Sequence, residues 1–303
     1  MFDNLSQMAV AWPFGVFLFL LGLCVGSFLN VCIHRLPTGK SLVWPPSHCT
    51  TCLAPIAWYD NVPVLSYIVL GGRCRKCGAS FSARYMVVEL LTGLLFAGYW
   101  LAYFPLGLRE EADHVGVYVV HMVLVGALVV SGAIDFERKE IYPSVTNFAL
   151  GVGLIGAAVW PQVQVIGTFS SPHALPDWTG YERADAVLLA LVGAAVGAGL
   201  IFVTRVFGTL VFRREAMGTG DIYLMAAIGG ILGWQASVLV FLVAPFFGLG
   251  YGIWHLLRKE DHEVPYGPFL GLAAGTVMLT QDYIFNYFRP GLEAMGEVLF
   301  RQG

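Results

Sequence analysis

The chain alternates long apolar runs with shorter polar connections, the runs falling near residues 12–33, 85–105, 115–135, 144–165, 184–204, 221–234, 236–257 and 266–288. A helix needs about 20 apolar residues to cross a bilayer core. The pattern therefore predicts an all-α polytopic membrane protein with about eight transmembrane helices. The sixth run has only about 14 residues, short for a crossing, and a seven-span alternative would send the C-terminus inward. Composition agrees with the pattern. Of 303 residues, 57% are hydrophobic and 12% charged, about half the charged share of an ordinary soluble domain, and the mean hydropathy is +0.70. A soluble enzyme is excluded on these grounds. A formal net charge of −3 with no long basic run gives no reason to expect a nucleic-acid partner.

Charge placement orients the spans. With the N-terminus outside, every one of the 17 Lys and Arg except Arg109, Arg183, Arg289 and Arg301 falls on one face. The positive-inside rule makes that face cytoplasmic, with the first loop inside and both termini outside. The residues before the first run carry Asp3 and no Lys or Arg, so a charged leader region is missing and the first span is expected to be retained. Five runs hold small-xxx-small pairs (Gly22/Gly26, Gly193/Gly197, Gly229/Gly233, Gly248/Gly252 and Gly271/Gly275) that allow close helix packing. Two stretches break the pattern. An outer one near 161–183, with Pro161, Pro172, Pro176 and Gly180, reads as irregular. An inner one, 34–84, is long enough for a small domain. The expected organisation is a first transmembrane helix (1–33), a small cytoplasmic domain (34–84) and a membrane helical bundle (85–303).

The inner loop carries Cys49-x2-Cys52, then 21 residues, then Cys74-x2-Cys77. Each x2 pair can put two thiolates on one metal, and two pairs complete a tetrahedral site. A disulfide framework is the rival, but the cytoplasm is reducing. With four sulfur ligands no position remains for water, so the expected zinc is structural, stapling a loop poor in large apolar side chains. Cys24 and Cys32, in the first span, read as packing residues.

Acids inside apolar runs are costly and thereby candidates for function. Glu89 lies one turn inside the second run, near Arg84, and a structural pair with that arginine is as good a reading as chemistry. Asp135 ends the third run, where the helix macrodipole disfavours a carboxylate. Asp221 follows Gly218-Thr219-Gly220 and opens the sixth run. As a helix N-cap it would need no further role. The predicted topology, however, brings both aspartates to the cytoplasmic face from different helices, with Gly218 and Gly220 allowing close approach. Two carboxylates sharing a site do not both ionise easily, so one keeps a proton while the other activates water, as in an aspartic protease. Helix ends favour Asp221 as the carboxylate and Asp135 as its protonated partner, although a coupled pair titrates as a unit. A transporter with a zinc-stabilised cytosolic gate is the competing class. No Ser-His-Asp set and no H-E-x-x-H motif presents itself.

At these residues the sequence resembles the type IV prepilin peptidases, bifunctional membrane enzymes of bacteria. Gly26-Ser27-Phe28-Leu29-Asn30-Val31 with His34-Arg35-Leu36-Pro37 resembles the family's opening signature, followed by the cysteine pairs. Val88-Glu89-Leu90-Leu91-Thr92, Gly218-Thr219-Gly220-Asp221, Gly233-Trp234 and Pro265-Tyr266-Gly267-Pro268-Phe269-Leu270 follow in the family's order. The resemblance implies a GxGD aspartic endopeptidase in the bacterial inner membrane. It would cleave the leaders of prepilins and pseudopilins, the subunits of type IV pili and type II secretion, at the cytoplasmic face. It also implies N-methylation of the new N-terminus from S-adenosylmethionine, associated with the cytoplasmic domain, catalytic roles for Asp135 and Asp221, and zinc-ligand roles for the four cysteines. No glycine-rich dinucleotide-type signature marks a methyl-donor pocket, so a protease without methylation is a second reading. Two departures stand out: Pro143 falls one position later than the family places its proline after the first aspartate, and Tyr223 stands where a lysine often follows G-x-G-D.

Overall fold

The computed structural model describes residues 5–108, 115–165, 177–213, 217–258 and 265–300. Asp3, Arg109, Pro172, Pro176 and Arg301, used in the sequence reading, lie outside this set. Among the described residues the structure is helical, with two isolated β-bridges. All eight apolar runs are helical, the fourth being interrupted at Trp160 and Pro161. Among the described residues five helices are long and apolar enough to cross a membrane, and many large apolar side chains face outward, among them Phe202, Phe207 and Leu210, each more than half exposed. Such a surface belongs in lipid, and the protein is a multi-pass membrane protein.

The chain divides into two compact units, Met1–Pro105 and Leu106–Gly303. In the first, α1 (Leu5–Arg35) packs along α3 (Arg84–Tyr103). The pairing depends on small residues: a Cβ at Gly22 would stand 2.8 Å from the Cα of Gly93, and one at Gly26 would stand 2.7 Å from the Cα of Glu89. After α1 comes a single 3-10 turn (Leu36–Thr38), which Pro37 starts and left-handed Gly39 stops, its N–H donating to the Leu36 carbonyl. The loop to α3 holds a second 3-10 turn (Trp58–Asn61) and the short α2 (Leu65–Leu70). It is otherwise irregular, as its lack of apolar periodicity predicts.

The second unit contains α4 (Val115–Arg138), α5 (Pro143–Val159), α6 (Gln162–Val165), α7 (Glu182–Phe212), α8 (Thr219–Leu232), α9 (Trp234–Arg258) and α10 (Gly267–Phe300). At 14 residues α8 is shorter than a bilayer core. It lies against α7, α5, α9, α4 and α10, and Leu224, Met225, Ala227, Ile228 and Ile231 are at most 1% exposed. Protein, not lipid, surrounds it. Gly193 of α7 and Gly229 of α8 each meet the other's backbone carbonyl with no room for a side chain, so these two expected packing pairs serve that purpose. Gly252 instead faces open space. The outer stretch expected to be irregular begins with α6, which Pro161 precedes, and the Gln164 Nε2 donates to the carbonyls of Gly230 (2.9 Å) and Ile231 (3.4 Å), capping the far end of α8.

Because no side chain fits between α7 and α8, Gly193→Val should cost about 1–3 kcal/mol through overpacking. Thermal unfolding of the detergent-solubilised protein would report it; an unchanged midpoint would remove this contact from the stability of the bundle.

Candidate active site

Asp135 and Asp221 are each 6% exposed. Helix α4 runs past Asp135 to Arg138, so the aspartate occupies the last turn rather than the end. Its carboxylate Oδ2 accepts a hydrogen bond from the backbone N–H of Gly267 at 2.9 Å, across 132 residues of sequence. Asp221 sits in the first turn of α8, but the N-cap is Gly218, not Asp221. Its carboxylate reaches back to accept from the Gly218 N–H, the reciprocal half of a capping box. So the structural reading of Asp221 is partly realised, and it leaves the residue free to face Asp135. The two lie close enough for Asp221 to feel the charge of Asp135, and Tyr266 in turn feels that of Asp221.

Glycine makes this convergence possible. A Cβ at Gly220 would stand 2.6 Å from the Cβ of Ile141, and one at Gly267 would stand 2.8 Å from Asp135 Oδ2 and 3.1 Å from Ile141 Cδ1. Ile141, in the turn between α4 and α5, thus touches the approaches to both aspartates. Sequence reasoning missed the roles of Ile141, Tyr266 and Gly267. A glycine between Tyr266 and Pro268 at a helix start was the available signal, but it names no partner. The two departures prove mild. Pro143 opens α5, where a missing N–H costs nothing, and Tyr142 lies outside, its hydroxyl donating to Glu140 at 2.9 Å. Tyr223 is 44% exposed, away from the buried face of α8.

In the first unit the four cysteine sulfurs all lie within 4.8 Å of one another, with Cys49 Sγ and Cys77 Sγ 3.8 Å apart. A tetrahedron with metal–sulfur bonds of about 2.3 Å has edges of about 3.8 Å, so this donor set fits a four-coordinate soft metal. The two halves are built alike. Cys49 N–H donates to the Ala54 carbonyl and Leu53 N–H to that of Cys49; Cys74 and Gly78 repeat both bonds with Ala79 and Cys74. Leu53 and Gly78 occupy the same left-handed turn position, and His48↔Pro55 matches Arg73↔Ser80 as the flanking bridge. The N–H groups of Cys52 and then Thr51 pull the Cys49 thiol down to about 6. Cys77 goes the other way, to about 11. The Ala79 N–H lowers it, but desolvation and proton sharing with Cys52, Cys74 and Cys49 outweigh that. Four thiolates repel one another, so full deprotonation of the set calls for a bound cation.

Glu89 is buried in the same unit. Its Oε2 accepts from Val64 N–H at 2.8 Å and the Ser27 side chain also bonds it. Arg84, the pairing partner expected from sequence, has its guanidinium over the Tyr85 ring at 5.5 Å.

Comparison with known proteins places both units. Residues 20–103 match the Bacterial Peptidase A24 N-terminal domain, and residues 122–253 match the Type IV leader peptidase family. A prepilin leader peptidase/N-methyltransferase of Aeromonas hydrophila is 32% identical, the alignment covering 91% of this chain and 94% of that one. The chain belongs to the type IV leader peptidase family. A member from Pectobacterium carotovorum subsp. carotovorum with the same name is 34% identical over 92% of this chain and 97% of that one. One from Myxococcus xanthus (strain DK1622) is 41% identical over 80% of this chain, which spans 64% of that longer relative. No solved structure matches. For this leader peptidase family member the aspartate cluster and the cysteine cluster fall in separate matched regions.

The doubled knuckle gives a local test. Leu53 holds a backbone conformation that costs a non-glycine residue roughly 1 kcal/mol, and Gly78 does not incur that cost. With open space around Gly78, Gly78→Ala should destabilise the loop by about that amount through its backbone alone, whereas Leu53→Gly should not. Limited proteolysis of residues 49–77 during chelator titration would separate them; equal sensitivity would contradict the shared turn.

Proposed function

We propose that this chain is a membrane aspartic endopeptidase that removes the leader of type IV prepilins and pseudopilins, and that it then N-methylates the exposed N-terminus. The observation that carries the reading is the meeting of Asp135 and Asp221, from α4 and α8, in one buried site. Two carboxylates so placed share one proton. The ionised one draws a proton from water as that water attacks the scissile carbonyl, and the protonated one donates to the carbonyl oxygen. Collapse of the tetrahedral intermediate breaks the C–N bond, and the leaving amine takes the proton first drawn from water. The Gly267 N–H holds Asp135 from one side and the Gly218 N–H holds Asp221 from the other, so neither carboxylate must be ordered at the moment of reaction.

The location of the site suits that substrate. On this reading the start of α8 and the end of α4 lie at the cytoplasmic face of a bacterial inner membrane, where a basic leader would meet an apolar helix; the excess of Lys and Arg on the same side of the spans supports that orientation. The four cysteines would hold zinc, which with four sulfur ligands supplies structure and no open position for water. S-adenosylmethionine is the methyl donor, supplying an electrophilic methyl group when bound.

Asp135→Asn and Asp221→Asn should each lower leader cleavage by roughly a thousandfold or more, while methyl transfer to a substrate supplied already cleaved survives. Purified protein, a prepilin and labelled S-adenosylmethionine, scored separately for truncation and label, would show this. Retained cleavage in either variant removes that aspartate from the mechanism, and truncation without label in the unaltered protein leaves a peptidase alone.

Gly267→Ala probes the support. A methyl group placed against Asp135 Oδ2 should lower kcat by roughly a hundredfold with little change in KM, because it displaces a catalytic group rather than the binding surface. A kcat equal to that of the unaltered protein would show that the Gly267 contact is not needed.

A further inference from the structure

The connection between α1 and α3 is strongly cationic. Residues 34–84 hold six Lys and Arg and a single acid, Asp60, which Arg75 engages at 2.7 Å. A divalent metal on four thiolates would leave this loop positive, although the whole chain is negative. Within the loop, α2 has two unlike faces. Tyr67 turns inward, edge-on to Phe81 at 5.4 Å, and its ring closes over Gly72. Leu65, Ile68 and Val69, at i, i+3 and i+4, form one stripe on the opposite side and are 60%, 63% and 74% exposed. Trp58, in the neighbouring 3-10 turn, is 83% exposed, and the Ser66 Oγ donates to the Tyr59 carbonyl at 3.5 Å, joining that turn to α2. The helix runs directly into the basic stretch. The Arg73 N–H donates to the Leu70 carbonyl, and Arg73, Arg75 and Lys76 are all exposed.

Two hydrogen bonds fix the depth of this surface. Asn30 Nδ2 donates to the Tyr85 carbonyl at 2.9 Å, aligning the end of α1 with the start of α3. The N–H of Val64, at the N-cap of α2, donates to Glu89 Oε2 at 2.8 Å. Glu89 stands five residues beyond Arg84, the first residue of α3, or about 7.5 Å along the helix axis. The headgroup zone on each side of a bilayer is about 5–8 Å thick, so α2 begins where headgroups give way to acyl chains. Val64 holds a left-handed φ of 62° there, a backbone that a β-branched residue adopts only when its surroundings require it. We propose that α2 is an interfacial helix: Leu65, Ile68 and Val69 enter the leaflet in which α1 ends and α3 begins, and Arg73 and Lys76 meet the phosphates of its anionic phospholipids. Trp58 carries the amphipathic ring that favours the same zone. Charge selects this occupant, because the loop repels a basic leader and is attracted to an anionic lipid surface. Arg75 and Lys76 stand between Cys74 and Cys77, so lipid contact here also seats the second cysteine pair at the membrane surface. The inference does not depend on the peptidase or methyltransferase readings; only naming that leaflet the cytoplasmic one rests on the orientation proposed above.

The zinc-loaded full chain in lipid nanodiscs provides the test. A genetically encoded fluorescent amino acid placed at Ile68 should be quenched by phospholipid carrying a nitroxide on an upper acyl carbon and shielded from aqueous iodide. Full access to iodide with no quenching by the nitroxide lipid would overturn the proposal. A second arm uses the unaltered protein. Hydrogen–deuterium exchange in peptides covering residues 64–71 should be roughly tenfold slower in nanodiscs containing phosphatidylglycerol than in phosphatidylcholine alone. The double variant Arg73→Gln/Lys76→Gln should lose most of that difference, with zinc content as the check on folding. Equal exchange of the unaltered protein in the two lipids, or a difference that survives intact in the folded double variant, would overturn the pairing of this face with anionic headgroups. Shielding of position 68 that arises only when a prepilin is added would assign the stripe to the substrate helix and overturn the proposal as well.

Discussion

A helix of 14 residues is too short to cross a bilayer unaided, and α8 keeps its place only because the neighbouring helices cover it. That burial is the constraint on which the catalytic unit depends. It fixes where the first turn of α8 ends, and so where Gly218, Gly220 and Asp221 are presented. It requires bare backbone at the tightest crossings, supplied by Gly193 against Gly229. It also requires capping of the carbonyls at the opposite end, supplied by Gln164. With α8 held in this way, Asp221 meets the last turn of α4 and the first turn of α10 in a site closed to lipid.

The first unit solves a different problem. Its loop has too few large apolar residues to form a core, and two matching turns bring four sulfurs within the reach of one metal instead. Folding and metal binding are then linked, since the ligands must lose protons and gather at once. The same loop reaches back to the membrane helices through Glu89 and Val64. An acid that hydropathy alone marks as anomalous thereby becomes a tie between secondary-structure elements, and the glycines of α1 let the helix carrying it approach closely.

Much of this was legible in the sequence because the determining patterns are local. Apolar runs located eight helices, and the x2 spacing located the sulfur cluster. Other features were settled by contacts distant in sequence. The hydrogen bond from Gly267 to Asp135 joins backbone to side chain across 132 residues, and no periodicity announces it. Asp221 looked like an N-cap because the helix start was misplaced by three residues; the extended backbone of Gly218 holds that position. The short α6 escaped notice because Pro161 and the polar residues around it read as a turn, while its role comes from Gln164 reaching α8. Asn30 stood in the opening signature without a role of its own: an asparagine in an apolar helix shows its unmet acceptor only when its surroundings are known.

Asp135 and Asp221 stand together in the folded protein. Chemical cross-linking in native membranes tests it most directly, using the double variant Asp135→Cys/Asp221→Cys, a short bifunctional thiol reagent and mass-spectrometric identification of the joined peptides. A product linking the end of α4 to the start of α8 should form in the double variant and in neither single variant. Failure to form it, with both introduced thiols shown to react singly, would mean that the two aspartates do not share a site.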